Sequence, residues 1–150
     1  MTIEVINGPN LNMLGIREPE IYGRMTLLDI YGELRRRTGD LSVALQFHQS
    51  SSEGEIIDLI HEAGKTAGMI GIVINPGGYT HTSVSIRDAI SSITLPVVEV
   101  HLSNLHAREP FRQQSMIAPV CRGRIEGLGW RGYELAIRYL VDLKNEGAAR

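Results

Sequence analysis

Residues 69–78, MIGIVINPGG, begin with six residues that carry no polar side chain and end in the turn-forming run Asn75-Pro76-Gly77-Gly78. A strand that is apolar throughout, rather than at alternate positions, is buried on both faces. That places it inside a parallel sheet whose crossover helices cover both sides.

The flanking chain supplies those helices. Ser52 and Glu55 form a capping-box pattern ahead of IIDLIHEAGKTAG, and residues 41–47 alternate as a second strand. Thr26 caps a helix through LLDIYGELRRR, where Leu27, Ile30, Tyr31 and Leu34 recur at helical spacing before Gly39 stops it. The chain opens on a short apolar strand, 1–6, ended by Asn7-Gly8-Pro9-Asn10. From there a loop of about 15 residues leads to the first helix, longer than most connections in compact domains. After the central strand, Ser83 begins a helix to about Ser92, Pro96 precedes the strand VVEVHL, and RGRIEGLG leads into a last helix from Trp130 to about Asn145. The order βαβαβαβαβα predicts an α/β chain with a doubly wound, five-stranded parallel sheet. Its ligands should gather outside the carboxyl ends of the strands.

Composition sets the outer limits. A chain of 150 residues with 43% hydrophobic content can bury one sizeable core, so one catalytic domain, 1–150, is expected. The net charge of -2 and pI near 6.2 provide no global field for polyanions, although arginines gather around 108–124; nucleic acid is not an expected partner. No apolar run approaches the roughly 20 residues of a membrane helix. A single cysteine, Cys121, and an N-terminus without a basic start or apolar run point to a cytoplasmic protein.

The less common polar residues fall at strand ends. Asn10 follows the first strand, Asn75 the third, and His101, Ser103 and Asn104 the fourth. Glu99 and His101, two apart on a strand, project from one face, so the carboxylate can lie beside the imidazole and favour a cationic, proton-donating ring. An isolated pair of this kind is as readily a satisfied polar contact at a strand end. His81, near the start of the third helix, lies where donors are plentiful and anions are favoured. The five histidines form no HExxH and Cys121 has no partner cysteine, so no metal requirement is expected. Gly8-Pro9-Asn10 matches neither GxGxxG nor a P-loop, and its proline lacks the backbone donor a phosphate cradle needs.

Five segments together carry a resemblance: NGPNLNMLG at 7–15, REPEIYG at 17–23, NPGGYTHTS at 75–83, EVHLSNLHAREPFR at 99–112 and RGRIEGLGWRGYELA at 122–136. In this order and spacing they resemble the type II 3-dehydroquinate dehydratases. Two departures are visible: Ser51 stands where that family has Asn, and Gly78 where Ala is common.

The resemblance implies a flavodoxin-like lyase of the shikimate pathway, built as trimers packed into a dodecamer. It would remove water from 3-dehydroquinate to give 3-dehydroshikimate through an enolate, with no cofactor expected. Tyr22 matches the base, Arg17 its activator, Asn10 the residue that holds a water at the enolate oxygen, and His101, held by Glu99, the acid. Leu102 and Ser103 match the receivers of the substrate carboxylate, and Asn75, His81 and Arg112 match contacts to its hydroxyls. Asp88 matches a residue that reaches a neighbouring subunit's site. A free phenol has a pKa near 10, so half-ionisation at pH 7 requires about 4 kcal/mol. One arginine about 4 Å away supplies roughly that amount at an effective dielectric of 20, and burial opposes it. Either a second cation, Arg108 or Arg112, is therefore expected to help, or only a minority tyrosinate fraction reacts. The segment bearing Arg17 and Tyr22 suits a lid.

Two other readings compete: a lyase on another cyclic polyol acid, and a flavodoxin-like module that binds a small ligand. A phosphoacceptor module would place acidic residues after the first strand, where this chain has Asn7 and Asn10.

Overall fold

Five strands form one parallel sheet in the order β2-β1-β3-β4-β5 in the computed structural model, which describes residues 1–148 apart from the side chains of Tyr22 and Ala148. They are β1 (Thr2–Asn7), β2 (Ala44–Gln49), β3 (Met69–Asn75), β4 (Val97–His101) and β5 (Gly123–Glu126). The helices are α1 (Pro19–Tyr22), α2 (Leu27–Arg37), α3 (Glu53–Lys65), α4 (Val84–Ser91) and α5 (Arg131–Ala148). All seven residues of β3 are buried, as the apolar run at 69–74 requires of a central strand.

Each face of the sheet has its own core. On one, Leu27, Ile30, Tyr31 and Leu34 of α2 and Tyr133, Ala136, Ile137 and Leu140 of α5 pack on Val5, Val73 and Val98. On the other, Ile56 and Ile60 of α3 and Ile86 and Ile90 of α4 pack on Ile6, Ile72 and Ile74. A fully buried Leu or Ile contributes about 1.5–3 kcal/mol relative to exposure. From β1 the chain crosses to β2 on one side of the sheet, and β3 returns to the other side of β1. The strand order thus reverses between β1 and β3, and the crevice above their carboxyl ends is where this topology places a ligand.

Local chemistry explains where the elements differ from the sequence reading. β2 begins at Ala44 rather than at 41, because 39–41 form a 3-10 turn and Ser42 takes a left-handed conformation, φ 52°. The capping box at the start of α3 is only half made. Ser52 Oγ accepts the Glu55 N–H at 3.2 Å, but the Glu55 carboxylate takes the Ser50 hydroxyl instead, and Ser50 Oγ accepts the Ser52 N–H at 3.0 Å. The complete box belongs to α2: Thr26 Oγ1 accepts from Asp29 N at 3.1 Å and Thr26 N donates to Asp29 Oδ2 at 3.0 Å. At the other end of α2, Arg37 and Arg138 grip Glu134, and Arg138 also reaches Asp40, joining α2 to α5.

The long first loop contains a 3-10 turn at 11–13 and the short α1, neither of which is evident from periodicity. Pro19 starts α1 with its fixed φ, Glu18 before it is left-handed at φ 42°, and Gly23 ends it at φ 84°. The loop ends after β1 and β3 approach closely: a Cβ on Gly8 would lie 2.4 Å from the Pro76 carbonyl oxygen.

Candidate active site

A cleft opens above the carboxyl ends of β1, β3 and β4. It is lined by Asn10, Arg17, Asn75, His81, His101, Leu102, Ser103, Arg108 and Arg112, with Pro9, Gly77, Gly78 and three leucines completing the wall. Three strand ends and the segment after β4 thus bring together most of the residues singled out from sequence. Glu99 does not line the cleft but lies directly behind His101. Asp88 is exposed on α4, away from the cleft of its own chain. Tyr22 ends α1, and its side chain lies outside the described residues.

The pair on β4 is fully formed. His101 Nε2 is 2.6 Å from Glu99 Oε1, with His101 5% and Glu99 0% exposed. Glu99 also receives the Thr80 hydroxyl on Oε1 and the Ser115 hydroxyl, 3.0 and 2.9 Å from its two oxygens. Burial opposes ionisation of this carboxyl, yet the hydrogen bond and charge of His101 and the two hydroxyls outweigh it and hold the pKa below the ordinary value. Because Nε2 is committed to Glu99, Nδ1 is the ring nitrogen left for a ligand.

His81 is fixed in the opposite sense. Its Nδ1 lies 2.7 Å from the Gln114 carbonyl oxygen, which can only accept, so Nδ1 carries the proton and Nε2 offers a lone pair. Burial, His101 and Arg112 lower its pKa against the pull of the Gln114 carbonyl and Glu99, which favours the neutral ring. The two imidazoles are near-parallel, with centroids 6.5 Å apart.

Beneath the cleft runs a buried hydrogen-bonded chain. Asn75 Nδ2 donates to Tyr133 Oη (2.9 Å), Tyr133 donates to Asn7 Oδ1 (2.5 Å), and Asn7 Nδ2 donates to Tyr31 Oη (3.1 Å). Asn75 Oδ1 accepts the Gly77 N–H at 3.2 Å, so one side chain fixes both its own strand end and the turn that follows. Asn7 and Asn75 are register partners on β1 and β3.

The cationic groups come from two segments. Arg17 Nε lies 3.7 Å from Glu18 Oε2, both half-exposed. Arg108 Nη1 donates to Ser103 Oγ at 3.3 Å, leaving the Ser103 hydroxyl hydrogen to point at an anion. Arg112 pairs with Glu109 and stacks on Phe111, 4.8 Å from the ring centroid. Asn10 is left-handed, φ 71°, a conformation that Asn tolerates better than most residues.

Among the described residues no three His, Cys, Asp or Glu side chains come together as metal ligands would, and no helix is long and apolar enough to cross a membrane. Sequence reasoning missed Thr80, Ser115 and Tyr133. Hydroxyl residues are too common for spacing to single out two of them, and Tyr133 sits at a position whose helical periodicity marks it only as core.

The arrangement provides a carboxylate-backed imidazole, a neutral imidazole with a free acceptor, amide side chains and an anion-receptive wall. Such a site suits proton transfer on a polyhydroxylated small acid. The sequence model of a family described as Dehydroquinase class II matches residues 1–141. A protein from Bacillus subtilis (strain 168) named 3-dehydroquinate dehydratase is 58% identical over 138 residues, 92% of each chain. One of the same name from Jannaschia sp. (strain CCS1) is 55% identical over 149 residues, 99% of each. The crystal structure of type II dehydroquinase from Butyrivibrio crossotus DSM 2876 superposes with a TM-score of 0.90 at 48% identity, covering 93% of this chain and 97% of that one.

Proposed function

This chain belongs to the class II dehydroquinases, and from that membership we propose that it dehydrates 3-dehydroquinate to 3-dehydroshikimate through an enolate, with Tyr22 as base and His101 as general acid. The observation that carries the reading is the Glu99–His101 pair at the rim of a cleft whose walls hold Arg17, Arg108 and Arg112.

Tyr22 takes the proton beside the ketone. Arg17, five residues earlier and in the cleft wall, favours the phenolate but shares its charge with Glu18, so one arginine is not sufficient by the arithmetic above. Arg108 and Arg112 in the same cleft supply the additional positive potential. Asn10 holds a water against the enolate oxygen, where negative charge develops.

The departing hydroxyl is protonated from Nδ1 of the cationic His101 ring, whose other proton, on Nε2, stays with Glu99. The substrate carboxylate sits against the Leu102 and Ser103 backbone, the Ser103 hydroxyl and Arg108. Asn75, Arg112 and the lone pair of His81 Nε2 receive its hydroxyls. The reaction is an acid-base elimination. Asp88, exposed on α4 and four residues from exposed Val84, is directed at a neighbouring subunit of a dodecamer built from trimers.

Following the appearance of enone absorbance from 3-dehydroquinate tests the proposal. Tyr22→Phe should abolish it, and His101→Ala should lower kcat by about 10²- to 10⁴-fold with little change in KM. No turnover by the wild type, or undiminished turnover in Tyr22→Phe, overturns it.

A further inference from the structure

We infer that Ser115, together with Thr80, is a positioning residue for the reaction: the two hydroxyls lock Glu99 as a carboxylate, and through it hold one ring proton of His101 on Nε2, so that Nδ1 is the nitrogen that takes up and gives the transferred proton. The inference deepens the reading of His101 as the acid and rests on it.

Ser115 Oγ has only its hydrogen left to place. It accepts the N–H of Ile117 at 3.3 Å and of Ala118 at 2.9 Å, which fill its two lone pairs. Its hydrogen must therefore be donated outward, and both Glu99 oxygens lie within 3.0 Å. Thr80 donates to Oε1 as well. Ser115, its lone pairs filled, can only donate, and Thr80 and His101 Nε2 sit at the same carboxyl in donor geometry, so the surroundings of Glu99 favour the carboxylate over the acid.

The segment that brings Ser115 grips the neighbouring ring too. Gln114 O takes the His81 Nδ1 proton at 2.7 Å, and Met116 N donates to Thr80 O at 2.7 Å. Three consecutive residues, 114–116, thus fix the tautomer of one imidazole directly and of the other through Glu99. Cys121, Arg124 and His81 are further titratable or charged groups near Glu99. Cys121 is a thiol whose pKa is pushed up to about 12 by burial and by Glu99. Arg124, the β5 register partner of Glu99, is ion-paired with Glu126. His81 favours the neutral ring, as described above.

The test uses the full-length enzyme and two readouts. Ser115→Ala should lower kcat about tenfold, the scale of one charge-assisted hydrogen bond, leave KM nearly unchanged and move the acid limb of the kcat profile to higher pH. The direction follows from Glu99 losing a donor that favours its anion. Ser115→Thr, which keeps the hydroxyl, should restore both. In the 15N NMR spectrum of the ligand-free protein, the neutral His101 ring should carry its proton at Nε2 in the wild type, Nδ1 gaining the proton it transfers only in the cationic form, and should become a tautomer mixture in Ser115→Ala. An unmoved acid limb together with unmoved His101 nitrogen shifts in Ser115→Ala overturns the inference. The NMR readout needs no substrate, so it separates failure of this clamp from failure of the proposed reaction, which an inactive wild type would signal.

Discussion

Glu4 lies in β1 with 4% exposure, and burial raises its pKa to about 7. His48 Nε2 on the neighbouring strand is 2.8 Å from Oε1, but off the direction a hydrogen bond needs, so that oxygen has no hydrogen-bond partner. A carboxyl with a raised native pKa binds its proton more tightly when folded than unfolded. Stability therefore falls as pH rises from the unfolded value near 4.5 through about 7, and levels off above it. Glu4→Gln removes the charge without changing the shape. Its urea midpoint should exceed that of the wild type at pH 8, by about 1–3 kcal/mol in unfolding free energy, and the gain should shrink toward pH 4.5. A gain that is constant with pH counts against this account. At the same scale, Glu99 and His101 were legible because two chemically distinctive residues stood at strand spacing. Ser115, which contacts Glu99 across 16 residues, carries no such mark, because only the folded path of 114–118 gives its hydroxyl a direction.

Between elements, the turns after β1 and β3 are packed so closely that one glycine there cannot change while another can. Gly8→Ala would drive a Cβ to 2.4 Å from the Pro76 carbonyl oxygen, so the two turns that hold Asn10 and Asn75 must separate. At Gly78 a Cβ meets nothing within 4 Å. The alanine that the resemblance leads one to expect at that position is therefore sterically free here, and glycine in its place is a matter of chain entropy. Thermal unfolding should show Gly78→Ala raising stability by about 0.4–1 kcal/mol and Gly8→Ala lowering it by at least about 1–3 kcal/mol. Equal effects at both sites would sink the steric argument. The helices with an apolar stripe, α2 to α5, and the buried β3 were legible because burial imposes a period. The 3-10 turn at 11–13 and α1 were not, since four residues or fewer complete about one turn and cannot establish one. The start of β2 was misplaced because the apolar positions of 41–47 alternate as a strand does while Ser42 turns the chain.

For the whole molecule, the doubly wound topology was legible because the alternation of strands and helices leaves few right-handed arrangements, and it places the cleft at the β1/β3 reversal. The dodecamer came only from resemblance, since association surfaces leave no period in a sequence. The exposed face of α4, with Val84 at 53% exposure and Asp88 beside it, is where a neighbour would sit. Light scattering of the purified protein should give about twelve times the 16.6 kDa chain mass, and Val84→Glu with Asp88→Arg should reduce it to smaller species. A wild type that remains monomeric at micromolar concentration removes Asp88 from the site.

Tyr133 has a consequence in the order of assembly. It joins Asn7 and Asn75 across 126 and 58 residues of sequence, so the floor of the cleft closes only when the last helix docks against the first and third strands. On a ribosome delivering the chain from its N-terminus, every residue that lines the cleft emerges before the tyrosine that seats two of the strand ends. The nascent chain therefore carries the chemistry of the site well before it has the shape, and that shape arrives late, with the slow contacts that long sequence separation imposes.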